Sequence, residues 1–190
     1  MGKGVCILVF GVSGVGKTSS CADYVARHPE WLHLRASALL SGATGESAEA
    51  LRTSSYETIR GNQQLLGAAL ERARSGREAA PILIDAHAAI DNDSDLVPVP
   101  IDSVASLHCD GMILLELPTD TLAARRANAN RPRPARSKLA LDLEASLEAD
   151  TVRSYAVALN IPLVCAKVGD AFRLDSLIDE IIRQQNPPAR

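Results

Sequence analysis

The stretch Gly11-Val12-Ser13-Gly14-Val15-Gly16-Lys17-Thr18 fits the pattern GxxxxGK[ST] without a mismatch and follows the apolar run Val5-Cys6-Ile7-Leu8-Val9-Phe10. The run reads as a buried strand and the segment from Lys17 as a helix. Between them the glycines let the backbone turn its N–H groups inward around a pyrophosphate, which then faces the positive end of the helix. Lys17 is expected to reach the β- and γ-phosphates as a point charge, and the Thr18 hydroxyl to complete the coordination of a magnesium ion. Gly11, Ser13, Gly14, Val15, Gly16, Lys17, Thr18 and Ser19 are therefore the expected contacts of ATP. Ser13 is replaceable by any small residue, because the backbone does the binding.

Outward from this loop, short apolar runs alternate with helical periodicity to the end of the chain. The first helix should stop near His28, because Pro29 disfavours the helical conformation before it. Trp31 to Ala36 reads as a second strand. A polar stretch from Ser41 to Ser47 leads into a long helix carrying Ile59, Leu66, Leu70 and Ala73, with Gly76 placed to cap it. Pro81-Ile82-Leu83-Ile84-Asp85 is a short strand ending in an acid, Met112 to Leu117 is another, and Ile161 to Ala166 supplies a fifth. Thr119 and Ser137 are candidate helix N-caps, and the helix after Ser137 carries Leu139, Leu143 and Leu147 on one stripe. The last helix places Leu174, Leu177, Ile178, Ile181 and Ile182 at helical spacing. Buried strands favour a parallel sheet, so the expected architecture is a three-layer, doubly wound α/β domain with five parallel strands. Ligands of such sheets bind at the carboxyl ends of the strands, where the phosphate loop, Asp85 and the segments after Ala36, Leu117 and Ala166 share a rim.

At 190 residues, 46% apolar, the chain fits one domain that buries its own core. A formal net charge of −3 argues against a dedicated binder of long nucleic acids. Cys6, Cys21, Cys109 and Cys165 form no CxxC pair, and read as reduced core thiols rather than a zinc site or a disulfide framework. No charged-then-apolar leader opens the chain and no apolar run nears the roughly 20 residues that span a bilayer, so the expectation is a cytoplasmic protein without a membrane partner.

Charge distribution is more telling than its total. No Lys or Arg occurs from Glu78 to Ala124, after which Arg125, Arg126, Arg131, Arg133, Arg136 and Lys138 follow with no acid until Asp142. Asp85 sits where an acid holds magnesium directly or through water. Hydrolysis needs a residue that orients water, yet Ala86 rather than Glu follows Asp85. A guanine-reading NKxD element is also lacking, since Ala166-Lys167-Val168-Gly169-Asp170 has no Asn and the wrong spacing. A kinase acting on a phosphate needs no strong base. It needs cations that overcome the repulsion between two phosphate groups, and the arginine-rich connection answers that need.

The segment ILIDAHAAI, the following LVPVPI, the strand MILLEL with Pro118 and the arginines after it are similar in order and spacing to the archaeal-type adenylate kinases, within the P-loop nucleoside-monophosphate kinases. The resemblance covers most of the chain. It implies a single kinase domain over residues 1–190, with a monophosphate-binding helical segment at about 37–76 and a short lid at about 125–138. The implied activity is magnesium-dependent transfer of the γ-phosphoryl of ATP to a nucleoside monophosphate, AMP first. The resemblance also implies a capacity to form homo-oligomers. Arg52 resembles the arginine that grips the acceptor phosphate, and Ser37 stands where the family often has a Gly-Asp pair after the second strand. His87 matches the histidine of the family's Asp-x-His, and Arg125, Arg126, Arg131 and Arg133 resemble the lid set. The chain departs from the family in lacking an acid among the lid arginines and in carrying Pro132 and Pro134 there. Two other readings stand beside this one: a nucleotide-dependent switch or assembly factor on the same fold, and a kinase for a hydroxyl acceptor in which Asp85 serves as base.

Overall fold

The computed structural model describes residues 3–128 and 136–185. At its centre is β1 (Cys6–Phe10), whose five residues are all buried. Its even-numbered side chains, Cys6, Leu8 and Phe10, join one core cluster, while Ile7 and Val9 join another on the opposite face. A strand buried on both faces alternates between two cores, which explains its continuous apolar sequence.

The chain then turns into α1 (Lys17–Arg27), runs back as β2 (Leu32–Arg35) and enters four short helices, α2 (Ala36–Thr44), α3 (Ala48–Arg52), α4 (Tyr56–Gln63) and α5 (Leu66–Arg74). Next come β3 (Ile82–Asp85), a hairpin of β4 (Ala89–Asp91) and β5 (Leu96–Pro98), and α6 (Ile101–Ala105). β6 (Gly111–Glu116), α7 (Thr119–Ala127), α8 (Lys138–Leu159), β7 (Leu163–Lys167) and α9 (Asp175–Gln185) complete the described chain. The main sheet has the order β2-β3-β1-β6-β7, and all its neighbours are parallel. Buried residues of α2, α5, α6 and α8 pack on one face. Those of α1, α7 and α9 pack on the other, so the three-layer, five-stranded parallel architecture expected from the sequence is the one observed.

Four local expectations are corrected. The single long helix after Ser47 is broken into α3, α4 and α5. The Thr53 hydroxyl donates to the Glu49 carbonyl and the Ser54 hydroxyl to that of Ala50, while Ser55 caps the next helix by accepting from the Thr58 N–H. Such side chains compete with the helical backbone and end it. The stretch read as polar from Ser41 also begins inside α2, which Gly45 closes in the left-handed conformation. At α7 the cap is Pro118, and Thr119 is the first helical residue. Ser137 does cap α8, accepting from the Ala140 N–H at 3.2 Å.

The fourth correction concerns α8. Leu139 and Leu143 are 68% and 58% exposed, so the leucine stripe faces outward. The buried stripe is Leu141, Glu144, Glu148, Ala149, Val152 and Tyr155, in which two positions are acids with buried partners. No described helix is long and apolar enough to cross a membrane.

Arg27 at the end of α1 pairs with Asp175 at the start of α9, its second nitrogen donating at 2.9 Å. That hydrogen bond is the main reason why the Asp175 carboxyl is lowered to about 2. A carboxyl depressed in the folded state stabilises above its unfolded value and loses that contribution as pH falls through the folded one. Asp175→Asn should therefore lower Tm by about 2 °C near neutrality. In a pH series of thermal melts, the gap to wild type should close as the pH approaches about 2.

Candidate functional site

The order of the sheet puts β3 beside β1, with Val9 level with Asp85, so the loops that leave these two strands lie side by side. Gly11 turns the chain out of the sheet at φ 145°, and a Cβ there would meet the Leu115 carbonyl oxygen at 2.5 Å. Only glycine fits both the angle and the approach. Gly16, at φ 114°, is the N-cap of α1, so the first turn of that helix opens directly from the loop.

Lys17 is 5% exposed. Its ammonium donates to the Gly11 carbonyl and to that of Val12 at 3.3 Å, and lies 3.3 and 3.4 Å from the two ring nitrogens of His87. Asp85, at the end of β3, is bonded to the His33 Nε2 of β2 at 2.8 Å. His33 was not among the residues that the sequence offered, because only the β2–β3 pairing, which sets it level with Leu83, brings its ring within reach of the acid two residues further on. Thr18 and Asp85 both line the main cleft. Among the described residues no cluster of three or more His, Cys, Asp or Glu could hold a metal by itself. One hydroxyl and one carboxylate suit a hydrated Mg2+ that arrives with a nucleotide's phosphates, rather than a resident ion in a protein cage.

The arginines at the end of α7 brace the phosphate loop. Arg125 donates to the Val15 carbonyl at 3.0 Å and the Arg126 Nε to that of Ser13 at 2.8 Å. Arg126 also forms a two-pronged pair with Glu144 of α8 at 2.8 and 2.6 Å. Arg131 and Arg133 lie outside the described residues. Arg136 pairs with Asp91 of the hairpin at 3.0 and 2.6 Å. Arg52 donates to Asp93 at 2.6 and 2.9 Å, to the Asp91 carbonyl at 2.7 Å and to Glu49 at 2.6 Å. These bonds hold the Asp93 carboxyl below the usual carboxylate range and raise the Arg52 guanidinium further.

Two acids of α8 that the sequence did not single out sit at the centre of this arrangement. Besides Glu144, Glu148 is 1% exposed and accepts from the N–H groups of Gly11, Ala88 and Ala89 at 2.9, 2.9 and 2.8 Å. Burial pushes its carboxyl up, against the opposing pull of the Lys17 charge and the three N–H donors.

All the described candidate residues on the acceptor side, Ser37, Arg52, Asp85 and His87, line one cleft of about 430 Å³ together with Ser13, Gly14, Gly16, Lys17, Thr18 and Ser19. Gly11 and Val15 do not line it. The same cleft extends over Leu40, Leu51, Leu66, Val99, Val104 and Leu107. Gln63 joins these apolar walls, is 5% exposed, and its amide has no hydrogen-bond partner among the described residues. No sequence signal marked it, since a glutamine near a helix end is ordinary until its surroundings are known.

A parallel five-stranded sheet with a phosphate loop after its central strand and a cleft beside it defines a P-loop α/β protein. Within that class the chain belongs to the family described as AAA domain, whose pattern matches residues 10–141. Its fold is similar to that of shikimate kinase from Bacteroides thetaiotaomicron, with a TM-score of 0.57 at 16% identity, covering 95% of this chain and 97% of that one. It is also similar to a protein from Chloroflexus aurantiacus j-10-fl provisionally described as a kinase, with a TM-score of 0.56 at 15% identity over 100% of both chains. No curated protein sequence matches the chain. The family match shows the AAA domain family, and the fold likeness shows the P-loop α/β fold. The narrower likeness to archaeal-type adenylate kinases rests on the residues that suggested it.

The Arg126–Glu144 pair is nearly buried, with side chains 11% and 7% exposed. Removing one partner strands the other's charge, so Glu144→Gln should cost about 3 kcal/mol in urea unfolding. The double change Arg126→Met with Glu144→Leu should recover most of that loss.

Proposed function

We propose that this protein is a phosphotransferase that moves the γ-phosphoryl of ATP to a nucleoside monophosphate, AMP being the first candidate. The observation that carries this reading is the continuity of one cleft, from the phosphate loop and Lys17 to an apolar compartment that also holds the side-chain amide of Gln63. A polyhydroxylated acceptor would need several hydrogen-bonding side chains around its body. A nucleobase asks for apolar contact on its faces and one amide-like partner at its edge, as a glutamine supplies.

In this reading the loop N–H groups and Lys17 hold the triphosphate, and Arg52 exchanges its bond with Asp93 for one with the acceptor phosphate. Arg125 and Arg126 keep the loop in shape and stand next to the charge that develops in transfer, with Arg131 and Arg133 proposed to join them. Thr18 and Asp85 would hold Mg2+, which supplies neutralisation of phosphate charge when bound. The acceptor is already an anion, so no side chain needs to remove a proton from it. His87, in contact with Lys17, is placed to orient that ammonium between donor and acceptor.

The Asp85–His33 pair motivates a second reading. A carboxylate bonded to an imidazole at 2.8 Å can act as a general base, which a hydroxyl acceptor would need. A panel of nucleoside monophosphates, nucleosides and small hydroxy acids, incubated with ATP and Mg2+ and read by product separation, decides between the two. Transfer to a monophosphate alone upholds the first reading, and transfer only to hydroxyl compounds overturns it.

Lys17→Ala should lower kcat/KM on the order of 3 kcal/mol, about two orders of magnitude, in steady-state kinetics. Gln63→Leu should raise KM for the acceptor about tenfold, with KM for ATP unchanged, because a hydrogen bond to a neutral base edge contributes about that much.

A further inference from the structure

Glu144 and Glu148 stand one helical turn apart on the buried face of α8. The first reaches the phosphate loop through Arg126 and the Ser13 carbonyl. The second reaches it directly, through the Gly11 N–H. Glu148 also accepts from Ala88 and Ala89, the two residues that follow His87. Along the β1–β3 boundary the last backbone bond among the described residues is from the Ala86 N–H to the Val9 carbonyl, at 3.0 Å. Past that point the two loops leave the sheet; Lys17 touches His87 across the gap, and Glu148 joins the two backbones from α8.

We propose that Glu148 is a positioning residue, which locks the first residue of the phosphate loop to the backbone just after His87 and thereby sets Lys17 and His87 relative to one another. The chemistry of the site calls for an ionised carboxylate. All three partners are N–H donors, and an amide in the same place would turn an NH2 group onto one of them. Packing alone does not explain an acid here. Leu141, Ala149, Val152 and Tyr155 already anchor α8, and an apolar side chain at 148 would avoid the cost of burying a charge. The proposal rests on the reading of Gly11 to Thr18 as a triphosphate site, and it makes the acceptor-side loop respond when that site fills.

The test uses full-length, 15N-labelled protein with Mg2+ and a non-hydrolysable ATP analogue. In the wild type the amide resonances of Gly11, Ala88 and Ala89 should all move on saturation. In Glu148→Gln those of Gly14 and Lys17 should still move, while those of Ala88 and Ala89 should not. Steady-state kinetics with the best acceptor should show kcat lowered about 10- to 100-fold in Glu148→Gln, with KM for ATP within about threefold of wild type. Val152→Ala, one turn further along the same buried face, should lower Tm and leave kcat within about twofold of wild type. An unchanged Ala88 and Ala89 response in the variant, its absence in the wild type, a kcat within twofold of wild type, or an equal kcat loss in Val152→Ala would each overturn the proposal. Should Glu148→Gln not fold, Glu148→Asp carries the same criteria, since it keeps the charge but is too short to span all three donors. If the wild type transfers phosphoryl to no acceptor, the functional reading fails, and the resonance measurements still decide the coupling.

Discussion

β1 is hydrogen-bonded along both edges, to β3 and to β6, and this double pairing governs all that happens at the carboxyl end of the sheet. A strand held on both sides cannot shift its register without flipping its side chains between the two cores. Its end point is therefore fixed, and so is the point where Gly11 must leave. The Leu115 carbonyl of β6 crowds that exit from one side, while β3 delivers Asp85 and His87 on the other. The phosphate loop is thus shaped by its neighbours in the sheet as much as by its own glycines.

Around the loop, two buried acids answer two buried or nearly buried cations. Lys17 and Arg126 lie among the loop carbonyls, and Glu144 and Glu148 approach from α8. Any one of these charges buried alone would be costly. Together they share backbone partners that point both ways: the cations take carbonyls and Glu148 takes N–H groups. Such a network contributes little net stability compared with apolar packing, but it holds a backbone shape that apolar contacts cannot specify.

The physical origin of each feature decides how much of it could be read from the chain. The three central strands were legible because parallel strands buried on both faces leave continuous apolar runs, such as Cys6–Phe10 and Met112–Leu115, whereas the edge strands β2 and β7 are only partly buried and carry a weaker pattern. The phosphate loop was legible because its glycines and lysine answer a local geometric demand. The inward face of α8 was not, since apolar periodicity selects Leu139 and Leu143, whereas the helix turns Glu144 and Glu148 inward and leaves those leucines exposed. Only the distant partners of the acids make that orientation favourable, and no local pattern records them. The β4–β5 hairpin was hidden for a related reason. Its strands are three residues each, and its turn depends on the Asn92 carboxamide accepting from the Ser94 and Asp95 N–H groups. His33 and Gln63 gain their meaning only from strand order and cleft shape.

That hairpin is also where the two sides of the cleft meet. Asp93 and the Asp91 carbonyl hold Arg52 of the helical segment, and the Asp91 carboxylate holds Arg136 at the root of α8. An anion entering beside Arg52 does not meet a bare guanidinium. It competes with carboxylates whose bonds to that arginine are short and two-pronged, so the gain from a phosphate is the difference between two ion pairs rather than the whole of one. Little net affinity can come from such an exchange. In the proposed reading, the energy of holding an acceptor would come from the aliphatic compartment and the Gln63 amide, while the arginine would contribute selectivity for an anion with the charge and geometry to displace an aspartate. A cleft arranged in this way rewards a ligand that has both an apolar body and a strongly charged end, and it penalises one that has only either.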